Sequence, residues 1–138
     1  MIKNLSFIVL TIVLVSCGSN FTAFEYTSTN QSGEFSVKVN KDSISYFRTG
    51  DVGKASSAPI DKKSWKKLTK AASSITLEAL DTLSSPSNKR ATDQASSAYL
   101  TFYLKDTVYQ SASFDGMNPN IMLREFNDSL FRLTSVLK

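Results

Sequence analysis

Residues 98–104, AYLTFYL, and residues 108–114, VYQSASF, decide the fold. In the first run Ala98, Leu100, Phe102 and Leu104 alternate with Tyr99, Thr101 and Tyr103; in the second, Val108, Gln110, Ala112 and Phe114 take every other place. A period of two is the mark of a half-buried strand, because successive side chains point to opposite faces. A three-residue loop, Lys105 to Thr107, would set Leu104 opposite Val108 and Ala98 opposite Phe114, with both apolar sets on one face. A two-residue loop would mix the faces, so the longer one is expected. Tyr99, Tyr103 and Tyr109 would then share the outer face, where aromatic rings can stack on sugars or peptides or serve as ordinary strand residues.

After this hairpin, Asp115, Gly116, Met117 and Asn118 turn the chain, with Asn118 suited to cap a helix and Pro119 to occupy its first position. The helix should run to about Val136. Met122, Phe126, Leu130, Leu133 and Leu137 form its apolar stripe, and Arg124, Glu125, Asn127 and Asp128 its polar side. Before the hairpin lies a polar loop, Ser84 to Ser97, containing Pro86, Asn88, Arg90 and Asp93. Antiparallel pairing of the two strands brings this loop beside Asp115 and Asn118. A polar cluster of Arg90, Asp93, Asp115 and Asn118 is therefore expected at that end of the sheet, with Asp115 stabilised as a carboxylate near a helix N-terminus and paired with Arg90. It would tie the loop to the hairpin, or hold a small ligand.

Further back, Asp61 is a good N-cap, and Trp65, Leu68, Ala72 and Ile75 recur at helical spacing. Lys62, Lys63, Lys66, Lys67 and Lys70 surround them: a solvated face, or a contact for anionic headgroups. Ser73 to Thr76 is poor helix interior, yet Leu77, Leu80 and Leu83 recur every third residue, which leaves extended chain and a second helical turn both open. Thr49 to Ala58 reads as a Gly- and Ser-rich loop. Ahead of it, Phe24 and Tyr26, then Phe35, Val37 and Val39, then Ile44 and Tyr46 alternate with polar residues and are separated by turn clusters at Asn30–Gly33 and Asn40–Asp42. Strands followed by helices, without regular βαβ alternation, predict an α+β fold: an antiparallel sheet with two helices packed on one face, in a single domain over 23–138.

The N-terminus has another character. Lys3 precedes an uncharged apolar run from Leu5 to Val15, which is about half of the roughly 20 residues needed to span a bilayer. The run ends in Leu14-Val15-Ser16-Cys17, which resembles the lipobox of bacterial lipoproteins. The resemblance implies cleavage before Cys17 and diacylglyceryl attachment to its sulfur, dividing the chain into a signal peptide over 1–16 and a short lipidated tether over 17–22. Cys17 is the only cysteine, so no intramolecular disulfide competes for it. Two or three acyl chains, each methylene contributing roughly 0.8 kcal/mol, would make the anchor permanent. Gly18 stands where an Asp would favour inner-membrane retention in enteric-type lipoproteins, so the resemblance implies the periplasmic side of the outer membrane. The stretch from Trp65 to Pro119, with Pro86-Ser87, Arg90, Asp93, Tyr109 and Phe114-Asp115, also resembles uncharacterised small envelope lipoproteins. That likeness implies the fold more than any activity.

Little catalytic chemistry is legible. The chain has no histidine, which removes Ser-His-Asp and Cys-His catalysis and the His-containing zinc sites. Gly50-Asp51-Val52-Gly53-Lys54-Ala55-Ser56 departs from a phosphate loop in glycine spacing and in having Ala55 where a hydroxyl should bind magnesium. Ser64-Trp65-Lys66-Lys67 matches Ser-x-x-Lys, but neither Ser-Asp-Asn nor Lys-Thr-Gly accompanies it, and Ser64 reads as a first-turn helix residue. Asp51, Asp106 and Asp115 belong to no spaced calcium loop. No catalytic residue, metal or cofactor is expected. Removal of Lys3 leaves fifteen Lys and Arg against twelve Asp and Glu, a mild excess that does not imply nucleic acid. The expectation is a membrane-anchored envelope lipoprotein serving as a non-enzymatic module that binds a partner protein, glycan or lipid headgroup. The alternatives are an enzyme of unrecognised type and a purely structural envelope component.

Overall fold

The computed structural model describes residues 20–50 and 54–137. The protein is α+β: a seven-stranded antiparallel sheet and two helices in contact with each other. The strands are β1 (Phe21–Asn30), β2 (Gly33–Asn40), β3 (Ser43–Arg48), β4 (Lys54–Pro59), β5 (Ser97–Leu104), β6 (Val108–Gln110) and β7 (Phe114–Asp115); the helices are α1 (Lys62–Ser73) and α2 (Ile121–Leu133). Strand order is β4-β3-β2-β1-β5-β6, with β7 pairing β5 beyond the end of β6. The first four strands form a meander whose turns are built by asparagine. Asn30 Oδ1 accepts from Ser32 N at 2.8 Å, and Asn40 Oδ1 accepts from Asp42 N and Ser43 N at 2.9 Å each. Gly33 follows the first turn with φ 135°, and a Cβ there would lie 2.6 Å from Thr49 Oγ1.

Alternation puts Phe24, Tyr26, Val37, Val39, Ile44, Ala98, Leu100 and Phe102 on one face of the sheet, where they form a single core with Leu68 and Ala72 of α1 and Leu123, Phe126 and Leu130 of α2. Both helices therefore pack on that face. Phe24 lies at the centre, fully buried, with its ring 5.0–5.7 Å from those of Phe21, Trp65, Phe102 and Phe126. Tyr26 is buried too, and its hydroxyl donates to Gly116 O at 2.8 Å, so the polar tip is satisfied where the ring is not solvated. Burial raises its pKa, against a smaller lowering by Ser28.

The structure corrects several sequence expectations. Part of the stretch read as a Gly- and Ser-rich loop is β4, an edge strand pairing Ala58 with Ile44 and Ser56 with Tyr46. Its alanines and serines carry no alternation signal; pairing with β3 makes the strand. Phe21 and Thr22, expected in the tether, already belong to β1. Between Ile75 and Leu83, where extended and helical readings were open, Leu77–Thr82 is a 3₁₀ turn, whose period of three residues fits the spacing of Leu77, Leu80 and Leu83.

The hairpin loop has two residues rather than three. Tyr103 opposes Val108 and Phe102 opposes Tyr109, while Leu104 N donates to Thr107 O at 2.9 Å. Ala98 still opposes Phe114, because the register slips by one residue between β6 and β7. At the slip Ser111 Oγ accepts from Leu100 N at 3.0 Å, and Ala112 leaves the sheet to donate its N–H to Leu80 O at 3.2 Å. Tyr109 thus packs against the core and Val108 is exposed, the reverse of the expectation.

Helix α2 is capped by Asn120, whose Oδ1 accepts from Met122 N at 3.0 Å, not by Asn118, and Pro119 lies outside the helix. The buried stripe differs from the expected one: Leu123, Phe126, Asn127 and Leu130 face inward, and Met122 is 59% exposed. Leu133 ends the α-helix, and Thr134–Val136 continues as a 3₁₀ turn. Asn127, expected on the polar side, is fully buried, and neither Nδ2 nor Oδ1 has a hydrogen-bond partner among the described residues. An unsatisfied buried amide costs about 1–3 kcal/mol, and leucine has the same branched heavy-atom shape. Asn127→Leu is therefore expected to stabilise the domain by about 1–3 kcal/mol, seen as a higher urea midpoint with unchanged slope. A lower midpoint would show that the amide is satisfied by buried water.

Candidate functional site

Three places carry the side chains the sequence singled out. The first is the loop cluster. Pro86 to Asp93 folds back over β7 through a short 3₁₀ turn, Lys89–Thr92, and four of its bonds converge on Asp115, whose side chain is 4% exposed. Asp115 Oδ2 accepts from Ser87 Oγ at 2.6 Å and Lys89 N at 2.7 Å; Oδ1 accepts from Arg90 N at 3.0 Å and Arg90 Nη1 at 2.9 Å. Arg90 is held in turn, with Nη1 donating to Ser87 O at 2.9 Å and Nε to Ser113 Oγ at 3.2 Å. Burial pushes the Asp115 pKa up, but the bonds from Ser87, the Arg90 guanidinium and the two amides prevail and hold the carboxyl well below the usual carboxylate range.

The structure thus brings Arg90 and Asp115 together, and joins Asn118 to them through Ser87, whose Oγ accepts from Asn118 Nδ2 at 3.3 Å. Asp93 stands apart: its Oδ2 accepts from Gln31 Nε2 at 2.9 Å, across to the β1–β2 turn. Sequence reasoning missed Ser87 and the two backbone amides as the main partners of Asp115. Only the Pro86-Ser87 pair gave any sign of them, since a proline restricts a turn whose next residue can bond locally. All four acceptor positions in use on Asp115 are occupied by its own chain, so the carboxylate is spent on holding the loop rather than open to a substrate proton.

The second place is the outer face of the sheet, opposite both helices. Tyr103 donates its hydroxyl to Glu25 Oε2 at 2.7 Å, and Lys38 Nζ sits 4.6 Å from its ring centroid. The bond to Glu25, with burial and the carboxylate's charge, pushes the Tyr103 pKa up to about 12. Tyr103 and Glu25, with Tyr99, Thr101, Gln110 and Val108, line a shallow basin of about 370 Å³. Tyr109, expected on this face, is on the other.

The third is α1. Asp61 caps it by accepting from Ser64 N at 2.6 Å, a bond that lowers the Asp61 pKa, and Ser64 lies in the first turn. Lys62, Lys63, Lys66, Lys67 and Lys70 are all exposed. A more apolar groove of about 800 Å³ runs between Phe35 and Tyr46 of the sheet and Phe131 and Leu137 at the other helix end. Among the described residues no group of three or more His, Cys, Asp or Glu could hold a metal. Cys17, residues 1–16, expected to form a signal peptide, and Asp51 with its neighbours Val52 and Gly53 lie outside the described residues. No protein-family model matches the chain, and no curated protein matches it significantly.

Proposed function

We propose that this protein is a lipid-anchored lipoprotein of the bacterial envelope, held by Cys17 to the periplasmic side of the outer membrane, and that its domain is a non-enzymatic binding module. The observation that carries the binding reading is the one-sided packing: both helices lie on the same face of the sheet, and the opposite face stays open around Tyr99, Tyr103, Glu25 and Lys38. Tyr103, half-buried and held by its hydrogen bond to Glu25, is a pre-organised contact, because little side-chain entropy remains to be lost on binding. A partner protein, a glycan and a lipid headgroup all fit such a surface. Among the described residues no helix is long and apolar enough to cross a membrane.

Two measurements test it. Intact-mass analysis of membrane-extracted protein should show a chain beginning at Cys17 and carrying acyl groups, and Cys17→Ser should abolish both the modification and membrane retention. A mature protein cut elsewhere with an unmodified Cys17 would refute the anchor. A photo-crosslinking residue placed at Tyr99 should yield a discrete adduct in intact cells, absent when the same residue replaces Met122. Turnover of peptidoglycan fragments or ester substrates by the purified protein would instead support an enzyme.

A further inference from the structure

We infer that the five-lysine face of α1 is a second contact with the membrane, docking on anionic lipid headgroups beside the anchor. The inference rests on the lipid-anchored reading above and deepens it.

The helix Lys62–Ser73 contains five lysines and no acidic residue. At 3.6 residues per turn the five occupy an arc of roughly 140°, centred nearly opposite the buried Leu68 and Ala72. The charges therefore form one continuous stripe pointing directly out of the helix layer. All five are exposed, and among the described residues the one ion pair within 4.0 Å is Arg90–Asp115, so none of them is neutralised by a carboxylate contact. Along the groove with α2, Lys67 adjoins Arg124 and Arg132 but also Glu125 and Asp128, which cancel each other. Asp61 is committed to the Ser64 amide. The stripe's field is not offset by its surroundings.

Its position relative to the anchor is fixed by the sheet. Helix α1 follows β4 at the end where Pro59 opposes Ser43 and Ile60 N donates to Asp42 O at 3.1 Å. Strand β1 begins at this same end, where Ala23 opposes Asn40 and Lys105 N donates to Asn20 O at 3.3 Å. Trp65 of α1 packs on Phe24, with ring centroids 5.3 Å apart. The first lysines thus lie at the pole from which the chain leads back to Cys17. Two residues, Gly18 and Ser19, separate Cys17 from Asn20, so three chain steps span at most about 11 Å. Lys41 and Lys105 occupy turns at that pole, where Asp42, Asp61 and Asp106 roughly balance them and Lys62, so the net attraction comes from the rest of α1. An anionic bilayer surface attracts lysines over about a Debye length, roughly 8–10 Å, and so short a tether holds the pole that carries the first lysines close to that surface. With the stripe on the bilayer, the open face of the sheet, on the far side of the core, is turned away from the membrane toward its partner.

The test uses the mature lipoprotein reconstituted into phosphatidylcholine vesicles with and without phosphatidylglycerol. Amine-reactive labelling is mapped by peptide mass, and the intact mass of the same sample reports the lipid on Cys17. Lys62, Lys63, Lys66, Lys67 and Lys70 are expected to label several-fold more slowly in the anionic vesicles, with Lys89 at the far pole unchanged and the difference removed by high salt. In the triple variant Lys62→Gln/Lys66→Gln/Lys70→Gln, which alters exposed positions and should keep its far-ultraviolet spectrum, Lys63 and Lys67 should lose that protection. Lipid-bearing protein whose α1 lysines label equally in both vesicles overturns the inference, as does protection that survives in the triple variant. Protection in intact cells but not in anionic vesicles would assign the stripe to an acidic polymer or protein, and overturns it too. If Cys17 carries no lipid the anchor reading fails separately; the stripe is then judged by whether the unlipidated protein floats with phosphatidylglycerol vesicles at low salt, and failure to float overturns it.

Discussion

Asp115→Ala is expected to lower the melting temperature by on the order of 10 °C or more, because it strips a buried ion pair of one partner and leaves four donors facing a void. Those donors are Ser87 Oγ, Lys89 N, Arg90 N and Arg90 Nη1. Two of them are backbone amides, which cannot move to water without unwinding the 3₁₀ turn they begin. Arg90→Ala should lose less, since Ser87 and the amides still hold the carboxylate. The double variant should lose less than the two single losses together, as expected of groups in contact. Strictly additive losses, or none, would refute the pairing.

The effect also has a pH signature. The folded-state pKa of Asp115 is depressed, so its contribution is complete above the unfolded value of about 3.9. It is lost progressively as pH falls below that value and through the lower folded one. Wild type should therefore lose stability on acidification below about pH 4 more steeply than Asp115→Asn, whose side chain does not titrate. Identical slopes for the two in acid denaturation would show that the carboxylate is not the group that matters. Unchanged stability of Asp115→Ala with loss of a bound ligand would instead make this cluster a binding site.

The second large effect is expected from Phe24→Ala, at about 3–5 kcal/mol. Phe24 is fully buried at the junction of the layers, touching Phe102 on the adjoining strand, Trp65 on α1 and Phe126 on α2. Four aromatic rings around it are too large and too constrained to close the cavity, so the cost belongs at the upper part of that range. Urea denaturation followed by Trp65 fluorescence, the chain's one tryptophan, checks this at the site itself. A loss under about 1 kcal/mol would mean that the helix layer relaxes onto the sheet.

Much of the fold was legible because alternation is a local property. Phe24 and Tyr26, Phe35 to Val39, and Ala98 to Leu104 each announce a strand whose apolar face must be covered, and the Asp61 cap with Trp65, Leu68 and Ala72 announces the helix that covers it. Strand β4 was not legible, since its serines and alanines bury little and the strand exists through hydrogen bonds to β3. The hairpin register was misread for a related reason. The apolar set alone favoured three loop residues, whereas the chain uses a two-residue turn and restores the pairing of Ala98 with Phe114 by a slip at Ser111 to Ser113. The slip depends on Leu80, a residue some thirty positions away, accepting the Ala112 amide.

The site residues divide in the same way. That the loop carrying Arg90 meets Asp115 follows from antiparallel geometry and could be read from the chain. The roles of Ser87, of Asn120 in place of Asn118, and of Asp93 as a partner of Gln31 depend on angles in a loop of nearly equivalent polar residues. The lysine stripe was visible as a composition, but nothing local tells where a stripe lies relative to the start of β1.

By itself, then, the sequence determined the α+β class, the helix that caps at Asp61, and the basic face of that helix, because periodicity and capping are interactions between residues within a few positions of one another. Only the tertiary structure decided the fourth strand, the inward turn of Tyr109 and Asn127, the saturation of Asp115, and the meeting of α1 with the start of β1 at one pole. Each of those depends on which distant backbone groups find one another when the core closes, and the hydrophobic burial that drives closure is non-directional. It fixes which faces must be covered, and leaves the hydrogen bonds at the edges to settle how.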